Sequence, residues 1–232
     1  MSQAELAVNF FVALFALIDP IGNVPLFAAA TIGAASAGRR MVAVYIGLFV
    51  LAFLVFFYFT GVSLLEFFGI SMPAFRIAGG IILFILGLDM VRDDFTTMFA
   101  DAAEGETEPL SARVYAKKRF ERLIVPFAMP LLIGPGAIST VIIYASEAKH
   151  LGLAGMALGV GVIAAVSVVL VATFWAAPVI SKVLGRIGMS IVVRVLGLIL
   201  CALAVQFVLI GVGDATRGLI RADAKAPYTA EK

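Results

Sequence analysis

Apolar residues fall in long blocks along this chain, without the two-residue alternation of a half-buried strand or the single stripe of a surface helix. Six blocks lie close to or above the ~18 residues at which an apolar stretch reads as a membrane-spanning helix. They cover residues 6–32, 41–60, 76–91, 123–145, 153–175 and 191–212. Two of them are interrupted. The first carries Asp19-Pro20-Ile21-Gly22-Asn23-Val24-Pro25, and the fourth carries Pro130-Leu131-Leu132-Ile133-Gly134-Pro135-Gly136-Ala137-Ile138-Ser139-Thr140. Pro20, Pro25, Pro130 and Pro135 remove backbone donors, and the glycines loosen the chain beside them. In hydrocarbon each freed backbone group needs a partner, so such a break persists only within protein or beside a water-filled cavity.

The stretch ahead of the first break, 6–18, would reach only ~20 Å as a helix, which places the break at membrane depth. Asn23 is expected to cap a second half-helix, with Pro25 in its first turn. Ser139 is expected to cap another that begins near Thr140. Three blocks precede the hydrophilic stretch 92–122 and three follow it; that stretch holds seven acids and six bases. The organisation predicted is a first three-helix repeat over 1–91, a solvated cytoplasmic connector over 92–122, a second repeat over 123–213 and a charged tail over 214–232.

The halves match in detail. Asp19-Pro20 aligns with Gly134-Pro135, and Arg76-x-x-Gly79 with Arg194-x-x-Gly197. If the N-terminus lies outside, the inner loops hold eleven Lys and Arg and the outer loops with the tail hold six. That bias predicts both termini outside. Three spans per repeat is an odd number, so the second repeat is inverted relative to the first. The fold class expected is therefore an all-α polytopic membrane protein: six transmembrane segments in two inverted three-helix repeats, with segments 1 and 4 broken near the midplane.

Composition agrees. Hydrophobic residues make up 62% of the 232 and charged residues 14%, and the mean hydropathy is +1.10. The net charge of +2 is dispersed and gives no footprint for nucleic acid. The single cysteine, Cys201, sits in an apolar block and reads as a small packing residue. A cleaved signal peptide is not expected, because Glu5 is the only charge before Asp19.

Candidate chemistry gathers at the breaks. Asp19 is the only acid deep in a segment, and intramembrane acids usually serve function. It faces a proton, sodium or a substrate ammonium, or else caps the break through the Gly22 or Asn23 amide. Asn23, Ser139 and Thr140 are candidate substrate hydrogen-bonders, and Gly22, Gly134 and Gly136 would let a ligand approach the backbone. No metal site or cofactor is expected, although a proton or sodium ion is a candidate coupling ion. Asp89, near the inner end of the third segment, reads as interfacial.

At these residues the sequence resembles the MarC family of six-helix inner-membrane proteins, relatives of the SnatA-type amino-acid transporters. The resemblance rests on residues 19–25 and 130–140, and on Ala78-Gly-Gly-Ile-Ile-Leu-Phe-Ile-Leu-Gly-Leu-Asp-Met90. It implies a multi-pass protein of a bacterial or archaeal plasma membrane, the cell inner membrane, with transport of small neutral amino acids such as glycine and alanine in some members. The function expected is secondary transport by alternating access, with a lipid bilayer and a neutral amino acid as partners and homo-oligomerisation left open. The alternatives are a passive channel using the same breaks, or a structural or regulatory membrane protein. An enzyme is not expected, since the spans lack HExxH, GxSxG and paired acids.

Overall fold

The computed structural model describes residues 2–31, 34–92 and 111–216, which form helices and, among the described residues, no strand. Helix α1 (Gln3–Ile18) opens on a capping box. The Glu5 amide donates to Ser2 Oγ (3.2 Å) and the Ser2 amide to Glu5 Oε2 (2.8 Å). Its buried residues, Leu6, Phe10, Leu14 and Ile18, recur every fourth position. One stripe therefore faces protein, while Val8 and Val12 stay exposed. With 16 residues, α1 reaches only ~24 Å. After a turn at 19–23 comes α2 (Val24–Ala30), with Pro25 in its first turn.

Helix α3 (Ser36–Phe67) is joined to α4 (Met72–Arg92) by a turn in which Gly69 has φ 64°, a left-handed value glycine adopts without strain. Helix α5 (Ala112–Leu123) runs directly into a π-helical stretch, Ile124–Leu132. Helix α6 (Pro135–His150) follows, and then a helical run from Gly152 to Ala215 that is broken at Gly185 (φ 63°, ψ −177°). Its arms, Gly152–Ile180 and Ser190–Ala215, are α7 and α8. Among the described residues α3, α4, α7 and α8 are long and apolar enough to cross a membrane, and α1 is a shorter apolar helix.

Small residues bring these helices together, as expected where lipid supplies no hydrophobic drive for association. Helix α7 lies antiparallel to α3: a Cβ on Gly47 would strike Val171, and one on Gly159 would strike the Tyr58 ring and hydroxyl. Helix α8 lies antiparallel to α4 in the same way. Gly80 faces the Ala204 carbonyl and Val208, Gly87 faces Gly197 and Cys201, and Gly211 faces Ile77 and Pro73. An ion pair between Arg76 and Asp214 (2.8 Å) closes one end of that contact.

The structure departs from the sequence-based boundaries in several places, α3 and α4 among them, which extend beyond the expected 41–60 and 76–91. The fourth segment starts before 123, because Ala112–Leu123 is already helical and buries Ala116, Arg119 and Leu123. Within the connector, residues 93–110 lie outside the described residues, as do 217–232 of the tail. The gap expected between 175 and 191 is helical, interrupted only by the break at Gly185.

Candidate functional site

The first interruption is a tight polar turn. Asp19 ends α1 in the left-handed region (φ 44°, ψ 65°), a conformation that Asp and Asn tolerate better than other non-glycine residues. Its Oδ1 accepts from the Gly22 amide at 3.0 Å. Asn23, only 6% exposed, occupies the position ahead of α2 but does not cap it with its side chain. Its Nδ2 instead donates backwards, to the carbonyls of Ile18 (2.9 Å) and Asp19 (3.0 Å). This corrects the capping expectation: the backbone at Asn23 is already helical, so its amide is better spent on the unsatisfied end of α1 than on the start of α2. Gly22 is required by close approach, since a Cβ there would strike the Asp19 carboxylate and come within 2.7 Å of Leu196 in α8.

The second interruption works differently. The widened turns of 124–132 end with the Ile133 amide donating to Ala128 five residues back (3.0 Å). Gly134 then stands ahead of α6 in extended conformation, and Pro135 is the first helical residue. The helix therefore starts five residues earlier than the sequence suggested. Ser139 lies inside it as a buried residue, its Oγ donating to the Gly136 carbonyl at 3.1 Å rather than capping. No described side chain caps α6. Pro135 has no amide hydrogen, so Gly136 and Ala137 carry the first N–H groups that no helical bond satisfies.

Those two residues line a cavity of about 20 Å³ together with Leu17, Leu83, Leu131, Gly134, Leu200, Leu203 and Phe207. A volume of that order holds about one water. Leu17 belongs to the last turn of α1, and a Cβ on Gly136 would lie 3.3 Å from its Cδ2. The end of α1 and the start of α6 thus meet at one point, with α8 packed across both. Of the residues singled out from sequence, Gly134 and Gly136 line the cavity. Asp19, Gly22 and Asn23 form the adjoining turn, with their polar groups engaged on one another. Thr140 is half-buried one helical turn above Gly136. Pro20 and Pro25 are buried in the first turn and in α2.

Two arginines that hydropathy did not single out hold the other end of α2. Arg119 of α5, 3% exposed, donates from Nε to the Ala30 carbonyl at 2.5 Å. Arg39 donates to the Thr31 and Ala34 carbonyls, each at 3.4 Å. Cations suit the carbonyl end of a helix, where the backbone carries partial negative charge. The signal for α5 was the spacing of Ala116, Arg119 and Leu123, which puts them on one helical face. Above them Phe27 of α2 stacks on Phe174 of α7 at 4.3 Å, so the short helix is fixed on three sides.

A family model described as MarC family integral membrane protein matches residues 4–216. A UPF0056 membrane protein of Buchnera aphidicola subsp. Acyrthosiphon pisum is 33% identical over 216 residues, 92% of this chain and 94% of the relative. The UPF0056 membrane protein YhcE of Escherichia coli strain K12 is 31% identical over 213 residues, 91% and 94% of the two chains. A UPF0056 membrane protein of Pyrococcus abyssi is 32% identical over 205 residues, 88% and 93%. No solved structure matches.

Proposed function

Because the chain belongs to the MarC family of integral membrane proteins, we propose that it is a secondary transporter of small neutral amino acids, working by alternating access. One arrangement carries this reading: Gly136 and Ala137, which open α6 without a side-chain cap, line a cavity together with Leu17, two residues before Asp19. Amides at a helix start, with the dipole behind them, favour a carboxylate. Asp19, at the carbonyl end of α1, offers the charge an ammonium wants. A zwitterion meets both poles, and the small residues Gly134, Gly136 and Ala137 suit a short side chain. The cavity has room for no more than about one water, so α1 and α6 must part to admit alanine, glycine or serine. A proton or sodium ion couples through Asp19. Gly22, Asn23, Ser139 and Thr140 shape the site.

In this reading the six segments form two inverted repeats in an inner membrane, with both termini on the periplasmic side. Transport is tested with purified protein in liposomes under imposed proton and sodium gradients. Labelled alanine is expected to accumulate and to be displaced by serine but not by ethylamine, which lacks the carboxylate. Equal displacement by ethylamine removes the role of the α6 amides, and gradient-independent, non-saturating flux indicates a passive channel instead. Topology is a separate expectation. Single cysteines at Gly105 and Tyr228, both outside the described residues, in a Cys201→Ala background should label from opposite faces. Labelling from one face would end the inverted-repeat reading.

A further inference from the structure

Above the candidate site, on the same seam, three aromatic rings lie nearly parallel. Phe10 of α1 stacks on Tyr144 of α6 with centroids 4.7 Å apart and planes at 12°. The same ring faces Tyr58 of α3 at 6.4 Å and 14°. Helices α1 and α6 run antiparallel here, since Phe10 meets Tyr144 while Leu17 meets Gly136. Gly136, Thr140 and Tyr144 follow one another at four-residue spacing and share one stripe of α6. The rings therefore sit about 12 Å from Gly136 along that stripe, toward the ends of the helices marked by Ser2 and His150.

The polar content of the stack is unusual. Tyr58 is 2% exposed, and its hydroxyl is buried without a hydrogen-bond partner. It points at α7 where Gly159 supplies no side chain, so that a Cβ at Gly159 would collide with it. A phenylalanine would fill this space as well and would avoid the cost of an unmade hydrogen bond. The hydroxyl gains only if another arrangement of the helices gives it a partner.

We infer that the Tyr144–Phe10–Tyr58 stack is the gate on the Ser2/His150 side of the α1–α6 seam, and that the Tyr58 hydroxyl finds its partner in water or a polar group of the passing solute when the rings part. In the closed arrangement the three rings lie on the seam between the Ser2/His150 ends and the stretch holding Thr140 and Gly136. Opening exchanges ring contacts for hydration of one hydroxyl, so the two arrangements need not differ much in free energy. The purpose given to the gate rests on the transport reading, but its existence is measurable without any substrate.

The experiment uses the full chain in liposomes, with Thr140→Cys as reporter in a Cys201→Ala background and a membrane-impermeant thiol reagent added to either face. A parallel Gln3→Cys protein identifies the face bearing the N-terminus. With the stack intact, labelling of the reporter is expected to be slow. Phe10→Ala should raise the rate about tenfold from the N-terminal face alone, the size of shift a gate moderately biased to closed would show. Tyr58→Phe keeps the ring and removes the unsatisfied hydroxyl, so it should lower the rate about threefold by favouring closure. That variant also decides the matter if Phe10→Ala fails to fold. An unchanged or higher rate in Tyr58→Phe, or a folded Phe10→Ala labelled no faster or equally from both faces, overturns the gate. If the gate behaves as stated while the unsubstituted protein carries no amino acid, the substrate reading fails and the gate stands.

Discussion

Gly87→Ala should weaken the protein by about 1–3 kcal/mol, and Gly87→Leu should yield no folded protein at all. The Cβ itself is the offending atom. Built on Gly87, it lies 2.6 Å from Cys201 Sγ and 2.8 Å from the Gly197 carbonyl, and the reciprocal Cβ on Gly197 lies 2.8 Å from the Gly87 carbonyl. A flexible side chain end can swing away, but a carbonyl on a packed helix moves only with its backbone. Helices α4 and α8 would have to separate along the glycine contact that holds them. The control is Gly161→Ala, on α7, where an added Cβ meets nothing within 4 Å. Helix propensity alone then favours alanine by up to ~1 kcal/mol. Thermal unfolding of both purified variants in one detergent gives the comparison. A Gly87→Ala protein as stable as Gly161→Ala would mean that α4 and α8 do not approach as described.

The second large effect is expected at Asp19, on activity rather than on folding. Asp19→Asn keeps an oxygen able to accept from the Gly22 amide, and asparagine tolerates the left-handed backbone at this position as well as aspartate does. The turn should therefore survive with an unfolding temperature close to that of the parent. What is lost is the charge, and under the proposed transport function gradient-driven uptake of alanine should fall by on the order of tenfold or more, equivalent to ~1.4 kcal/mol of coupling. Asp19→Ala removes charge and acceptor together, and it places alanine at φ 44°, so it should lower both uptake and stability. Uptake by a well-folded Asp19→Asn protein that still follows the gradient would leave the carboxylate with the structural role its bond to Gly22 already describes.

Much of the helical layout was legible in the sequence because membrane helices are long, apolar and bounded by charge. The Asp19–Asn23 turn was legible for the same reason in reverse: its polar and helix-breaking residues have no cheap place in lipid. What hydropathy missed depends on single side chains. Averaged over 92–122, Arg119 is one base among six, although the face it shares with Ala116 and Leu123 is buried, on a helix packed against α3, and Arg119 itself reaches Ala30 of α2. Asn23 and Ser139 carry the residue types of helix caps, yet the backbone around each offers a nearer carbonyl, and both donate to it. Pro130 and Pro135 marked the second interruption without revealing that widened turns precede it. A missing amide permits several local solutions, and the surrounding helices choose among them. The meeting of Leu17 with Gly136 is a tertiary fact that no local pattern contains.

The bond from Arg119 to the Ala30 carbonyl spans 89 positions of the chain. During synthesis α2 emerges long before the residue that satisfies its carbonyl end, and at roughly 5–20 residues per second that wait lasts on the order of 5–20 seconds. Through that interval the half-helix has no buried partner for Ala30, and an apolar surround will not hold an exposed carbonyl. The buried bond at the carbonyl end of α2 therefore forms only after α5 has been made, so this contact between the two halves of the chain is completed late in synthesis.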